Sequence, residues 1–227
     1  RTQIILFTSV VSLLCLGNLN ASTVCPPETS SEGLPLFYWK EGNFINFGDY
    51  LSLKIIERIA GPPPKFYNKR TPNQDKKLLA LGSILYFANQ NDVVWGSGIN
   101  GKRLDKKDYK FTELDIRAVR GPLARAFLMD NFGIECPEIY GDPALLVPYL
   151  FPEFQKSENP THSYVIVSHY DDVKFFQDNT DGRVIYSTEP WDVVINKILN
   201  SQFVISSSLH GIIVAEAFGI PARLLRL

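Results

Sequence analysis

The sequence predicts a doubly wound α/β protein in two halves, each built on a parallel sheet, and three observations lead there. Short apolar runs of strand length alternate with segments of helical period along most of the chain. The turns richest in glycine, serine and charge fall where strands give way to helices, the places where open parallel sheets hold ligands. An aperiodic, proline-rich stretch at residues 150–162 separates one alternating block, 34–149, from a second, 163–227. The length of 227 residues exceeds one average domain and suits this division.

Before the first block, Ile4 to Gly17 is an apolar run behind Arg1, followed by polar residues and the small Ala21. The run is short for a bilayer span and long for a strand, so residues 1–21 are expected to be signal peptide-like, with no stable membrane span. That places the protein in the secretory lumen or outside the cell, or in the cytoplasm if the segment is not a signal. Residues 22–33 are polar and proline-containing, a linker.

The elements then follow in order. Leu34 to Trp39 is a strand. The loop Glu41 to Gly48 leads to a helix with Leu51, Ile55 and Ile59 on one face, stopped by Gly61 and the prolines behind it. Leu78 to Leu85 and Asp92 to Trp95 are buried strands, the second running into Gly96-Ser97-Gly98. Asp115 to Val119 is a strand ending at Arg120. Pro122, at a first helical position, opens a helix lined by Leu123, Ala124, Phe127 and Leu128. In the second block, Tyr164 to Ser168 and Val184 to Tyr186 are strands, and Trp191 to Leu199 is an amphipathic helix. Phe203 to Ser206 is a strand, Ser207 to Gly211 a turn and Ile212 to Phe218 a helix, with a strand starting at Ala222. One strand after Pro221 leaves the second half incomplete.

Composition narrows the partners. A formal net charge of −1 offers no basic excess for nucleic acid, and 45% hydrophobic with 21% charged residues is ordinary for a globular protein. Cys15 lies in the signal-like segment. Cys25 and Cys136 either pair or stay free. No CxxC or Cys/His cluster points to a metal.

Four turns carry the candidate chemistry. In Ser206-Ser207-Ser208-Leu209-His210-Gly211, three hydroxyls and an imidazole sit at a helix start, where backbone N–H groups attract anions and histidine titrates near neutral pH. A serine cap with a structural His210 is an equal reading of the same residues. Arg120 stands at a strand end, suited to a bidentate grip on carboxylate or phosphate, while Arg117 points to the other side. In Asn46-Phe47-Gly48-Asp49, Asp49 is a natural helix cap or, alternatively, orients a sugar hydroxyl or a cationic side chain. Gly96, Ser97 and Gly98 allow close approach of a substrate to the backbone. The basic residues from Lys102 to Lys110 alternate with Asp105 and Asp108 and are expected to form a solvated loop.

These turns, together with Gly141-Asp142-Pro143-Ala144-Leu145-Leu146, occur in an order that resembles the polysaccharide pyruvyltransferase family, nearest to the bacterial exopolysaccharide ketal pyruvyltransferases, over residues 36 to 227. The resemblance implies two Rossmann-like domains arranged as in the GT-B glycosyltransferases with a cleft between them. It implies phosphoenolpyruvate as donor substrate, a sugar or polysaccharide acceptor, and neither cofactor nor metal. His210 matches the family's acid/base, and Arg120 and Leu209 match donor-site positions. Ser206, Ser207 and Ser208 add donor contacts, and Asn46, Asp49, Gly96, Ser97, Gly98 and Asp142 are candidate acceptor or loop contacts. Many members have arginine where this chain has Ser208, which removes a cation from the donor site. A nucleotide-sugar glycosyltransferase of the same architecture and a non-catalytic glycan-binding homologue are the competing readings.

Overall fold

A computed structural model describes residues 33–40, 45–63, 65–67, 76–178 and 181–227. The signal-like segment, Cys25 and loop residues 41–44 lie outside the described residues. The first sheet contains β1 (Leu36–Phe37), β2 (Phe66–Tyr67), β3 (Leu78–Leu79), β4 (Val93–Trp95) and β5 (Asp115–Ala118). Their order is β2-β1-β3-β4-β5, and every neighbouring pair is parallel. The second sheet contains β6 (Val165–Ser168), β7 (Val184–Tyr186), β8 (Val204–Ser206) and β9 (Ala222–Leu224), in the order β7-β6-β8-β9, again all parallel. The expected α/β class with parallel sheets is therefore observed. Several strands are shorter than the sequence suggests: of Leu34 to Trp39 only Leu36 and Phe37 pair, only Leu78 and Leu79 of the run to Leu85 pair, because the chain bends at Gly82 (φ 105°) into a 3₁₀ turn at Leu85–Phe87, and the last strand ends at Leu224.

The first sheet is buried on both faces, as its continuous apolar strands require. Leu36, Leu78, Val93 and Trp95 face one core, and the alternating Phe37, Leu79 and Val94 face the other. The second core is largely aromatic, built from Tyr109, Phe111, Phe127 and Phe132 beside helix α2 (Pro122–Phe132). The second sheet turns Val165, Val167, Ile185 and Val204 into the same core as Leu36 and Trp95, so one hydrophobic core serves both sheets. The residues that alternate with them, Ile166 and Ile205, are only half-buried, so this sheet is not wound equally on both faces.

Helix α1 (Phe47–Ala60) lies at the centre of that shared core. Asn46 caps it by accepting from the Gly48 N–H at 2.9 Å, and Phe47, Leu51 and Ile55 form its fully buried stripe. Gly61 (φ 80°) and the following prolines stop it. Its N-terminus is tied to the second half, the Phe47 N–H donating to Ser187 O at 2.7 Å. Helix α2 starts at Pro122 and ends at Gly133 in the left-handed region, but Leu123 points into solvent, so its buried face is narrower than expected. The aperiodic stretch after the short helix α3 (Val147–Leu150) is packed: Phe151 and Phe154 are buried, their rings 5.3 and 5.4 Å from that of Trp191 at the start of helix α4 (Trp191–Leu199). Helix α5 (Leu209–Ala217) begins earlier than the sequence suggests and takes His210 into its first turn. Behind β3 and β4, a fully buried Lys77 pairs with Asp92, which also accepts the Lys77 and Asn89 N–H groups.

Candidate active site

The loops that follow β1, β3, β4, β6 and β8 converge on one cavity of about 360 Å³. Its wall includes Asn46 and Asp49 from the start of α1, and Ser208, Leu209 and His210 from the start of α5. The carboxyl ends of strands from both sheets thus meet at one polar site, as the parallel arrangement leads one to expect.

His210 is nearly buried, and its Nε2 stands 3.6 Å from Asp142 Oδ2. Neither atom has a hydrogen-bond partner. The imidazole occupies the space left by a missing side chain: a Cβ on Gly48 would lie 2.2 Å from His210 Nδ1. Arg120 is accommodated in the same way, since a Cβ on Gly98 would lie 2.4 Å from its Nη2. That Nη2 donates to Ser83 Oγ at 2.9 Å and Nη1 is left without a partner. Ser83 lines the cavity and Arg120 stands behind it. Buried polar atoms are nearly always paired in folded proteins, so these groups beside one cavity are donors and acceptors open to water or a polar ligand.

Asp49 is partly open to the cavity and enclosed by protein on its other sides. That enclosure pushes its carboxyl up to about 6; His210 and Arg120 pull it down and Asp142 pushes it up. Burial depresses Arg120, with Asp142 and Asp49 opposing. Two carboxylates, one guanidinium and one imidazole therefore form a single electrostatic group.

The other expected contacts fall elsewhere. Ser206 Oγ is buried and spent on structure: Val167 O at 2.9 Å and Ser208 O at 2.7 Å are the acceptors within reach of its one hydrogen, and it accepts from the Ser208 N–H. Ser207 Oγ accepts from the His169 N–H at 2.9 Å. Of the three serines only Ser208, the α5 cap residue, lines the cavity, and its hydroxyl makes no cap bond. Ser97 is fully buried and donates to Ala80 O, while Gly96 (φ 92°) makes room for Pro143. The Gly-Ser-Gly turn thus lies behind the site, outside the cavity lining. Asp142 caps the 3₁₀ turn at Pro143–Leu146 through one oxygen and turns the other toward His210. The helix cap assigned to Asp49 belongs to Asn46, two candidate cap residues lying within one turn.

Several cavity residues gave no signal in the sequence. Trp39 and Tyr170, one from each half, stack at 5.4 Å near the mouth. Lys102 and Arg103, expected in a solvated loop, line the same cavity, with Lys102 reaching Asp171 across it at 3.4 Å. His169 is held low by burial, and its Nδ1 accepts the Asp171 N–H. Only alternation of charge was visible in the 102–110 loop, and proximity to His210 depends on the fold. Cys136 is a buried free thiol, raised by burial.

A polar cleft at the carboxyl ends of parallel strands, lined by Asp49, Ser208 and His210, places the chain among α/β proteins with a ligand cleft at that edge of their sheets. The polysaccharide pyruvyl transferase family model matches residues 46–226, and the chain belongs to that family. It is 32% identical over 196 residues to the succinoglycan biosynthesis protein ExoV of Rhizobium meliloti (strain 1021), covering 82% of this chain and 57% of the relative. An uncharacterised protein of Acanthamoeba polyphaga mimivirus is 27% identical over 193 residues, 80% of this chain and 64% of that one. The chain therefore spans less than two thirds of either relative's length. No solved structure matches it. Among the described residues no helix is long and apolar enough to cross a membrane.

Proposed function

We propose that the protein transfers pyruvate from phosphoenolpyruvate to two hydroxyls of a sugar in a glycan, forming a cyclic ketal and releasing phosphate. The observation that carries this reading is His210 of the second half on the cavity wall beside Asp49, whose carboxyl feels both His210 and the Arg120 guanidinium that stands behind Ser83 in the first half. Family membership and the similarity to a succinoglycan biosynthesis protein support a polysaccharide acceptor. The same reading takes the halves as two Rossmann-like domains of GT-B kind with substrates between them.

Phosphoenolpyruvate carries a carboxylate and a phosphate on one carbon of an enol double bond. Arg120, whose Nη2 is held by Ser83, offers its Nη1 donors for one anionic group, and the N-terminus of α5 with the Ser208 hydroxyl offers donors for the other. The His210 imidazolium gives its proton to the methylene carbon, which becomes a methyl group. The adjacent carbon is then open to attack by a sugar hydroxyl, and phosphate leaves when the second hydroxyl closes the ring. General acid catalysis of this kind contributes about 10²–10⁴-fold. Lys102 and Arg103 supply positive charge along the cavity wall, in a chain that has Ser208 where many family members carry an arginine.

Thermal melting of the full-length protein separates this from nucleotide-sugar transfer. At 100 times its dissociation constant a ligand of the native state adds about 2.7 kcal/mol, or roughly 5–10 °C for a protein of this size. Phosphoenolpyruvate raises the melting temperature and a nucleoside diphosphate does not. The opposite result overturns the reading.

A further inference from the structure

Asp49 has no structural task. The α1 cap that its position suggests is made by Asn46, and among the described residues no hydrogen bond acts on its carboxyl, only burial and the charges of His210, Asp142 and Arg120. The fold nonetheless keeps room for it, since a Cβ on Gly82 would lie 2.9 Å from Asp49 Oδ1. It lines the same cavity as His210 and Ser208. A desolvated carboxylate that stabilises nothing in the fold is a cost retained for what it does to a ligand.

We propose that Asp49 is the base of the transfer reaction, taking the proton from the sugar hydroxyl that attacks the donor. This rests on the function proposed above and assigns its missing half, because a single imidazole cannot give one proton and take another in the same step. The proton balance closes with two groups. In the first step the sugar oxygen bonds to the central carbon, its proton passes to the Asp49 carboxylate, and the His210 imidazolium protonates the methylene carbon. In the second step the carbon–oxygen bond to phosphate breaks, and the proton now on Asp49 leaves with the phosphate. The second sugar oxygen bonds to the same carbon and its proton returns to His210. Both side chains end in the state in which they began.

The groups facing Asp49 set its pH behaviour. His210 from α5 and Arg120 beyond β5 favour its charged form, while enclosure and Asp142 beyond the Tyr140 bridge disfavour it. In the free protein its carboxyl titrates at about 6. A base must be deprotonated, so kcat/KM rises with pH through that value. A bound anionic donor adds negative charge, so the corresponding limb of kcat lies at higher pH.

The test uses full-length Asp49→Asn and Asp49→Glu proteins, phosphate release from phosphoenolpyruvate with a galactose- or glucose-terminated acceptor, and donor binding followed calorimetrically. Asp49→Asn is expected to lose turnover by about 100-fold or more while binding donor as tightly as wild type or tighter, since a negative charge has gone. Its acid limb disappears, and Asp49→Glu restores part of the rate with a limb. A merely structural role would weaken donor binding along with turnover and leave the limb in place, and that result overturns the assignment. So does wild-type turnover in Asp49→Asn, which leaves the pyruvyl-transfer reading standing. A wild-type protein that releases no phosphate with donor and acceptor overturns both.

Discussion

Replacing Gly48 by alanine tests whether the site is built on backbone space. Gly48 lies in the first turn of α1 with ordinary helical geometry, so alanine alone is favourable there by up to about 1 kcal/mol. The new Cβ, however, would stand 2.2 Å from Nδ1, 2.5 Å from Cγ and 2.8 Å from Cβ of His210. Ordinary carbon contacts begin at about 3.5 Å, so the imidazole must retreat by more than about 1 Å. Turning the ring does not relieve the clash, because the His210 Cβ is itself too close; the first turn of α5 has to move. Overpacking costs about 1–3 kcal/mol, which the helical gain partly offsets, so melting falls by no more than roughly 8 °C. Turnover suffers far more, since displacing a reacting group by about 1 Å costs on the order of 100-fold. The assay is phosphate release beside a melting curve, with Gly101→Ala as control because nothing lies within 4 Å of a Cβ there. A Gly48→Ala protein that turns over like wild type would refute the claim that this glycine exists to seat His210.

Other outcomes follow from the same geometry. Asp92→Ala leaves the buried Lys77 ammonium without its carboxylate and two amide N–H groups without an acceptor, and urea denaturation should show a loss of about 3–5 kcal/mol. Lys77→Met costs less, because Asp92 keeps its two amide donors. Asp49→Asn raises the melting temperature relative to wild type at pH 8 and not at pH 4. A carboxyl raised from 3.8 to about 6 contributes stability that is complete below 3.8 and lost as pH climbs through about 6, and asparagine removes that loss. Equal melting of the two proteins at pH 8 would show that Asp49 is not desolvated.

The sequence made the scaffold legible because alternation and helix punctuation are local. Pro122 and Gly133 bound α2, and Gly61 ends α1, where reading the chain places them. It made the site legible only at strand ends, which is why His210, Arg120 and Asp142 could be singled out before their meeting was visible. What stayed hidden depends on distant partners. Gly98 looked like an approach for a substrate, yet it makes space for Arg120, and Gly48, which stood out in no way, makes space for His210. Three serines in a row looked equivalent, but backbone groups of β6 and the following turn claim Ser206 and Ser207. Asn46 and Asp49 both suit a helix cap, and only the cap bond at 2.9 Å shows that the carboxylate is left over. Phe151 and Phe154 carry no period, so their burial against Trp191 could not be anticipated from a proline-rich stretch.

The central claim, that His210 delivers a proton to an enol phosphate at this cavity, is tested most directly by running the reaction in deuterated water. Full-length protein, phosphoenolpyruvate and a galactose- or glucose-terminated acceptor should yield phosphate and a ketal whose methyl group carries solvent deuterium. His210→Ala should bind the donor and form neither product at a comparable rate. Ketal formation at the wild-type rate by His210→Ala, or transfer of a sugar from a nucleotide in place of pyruvate by the wild type, would contradict it.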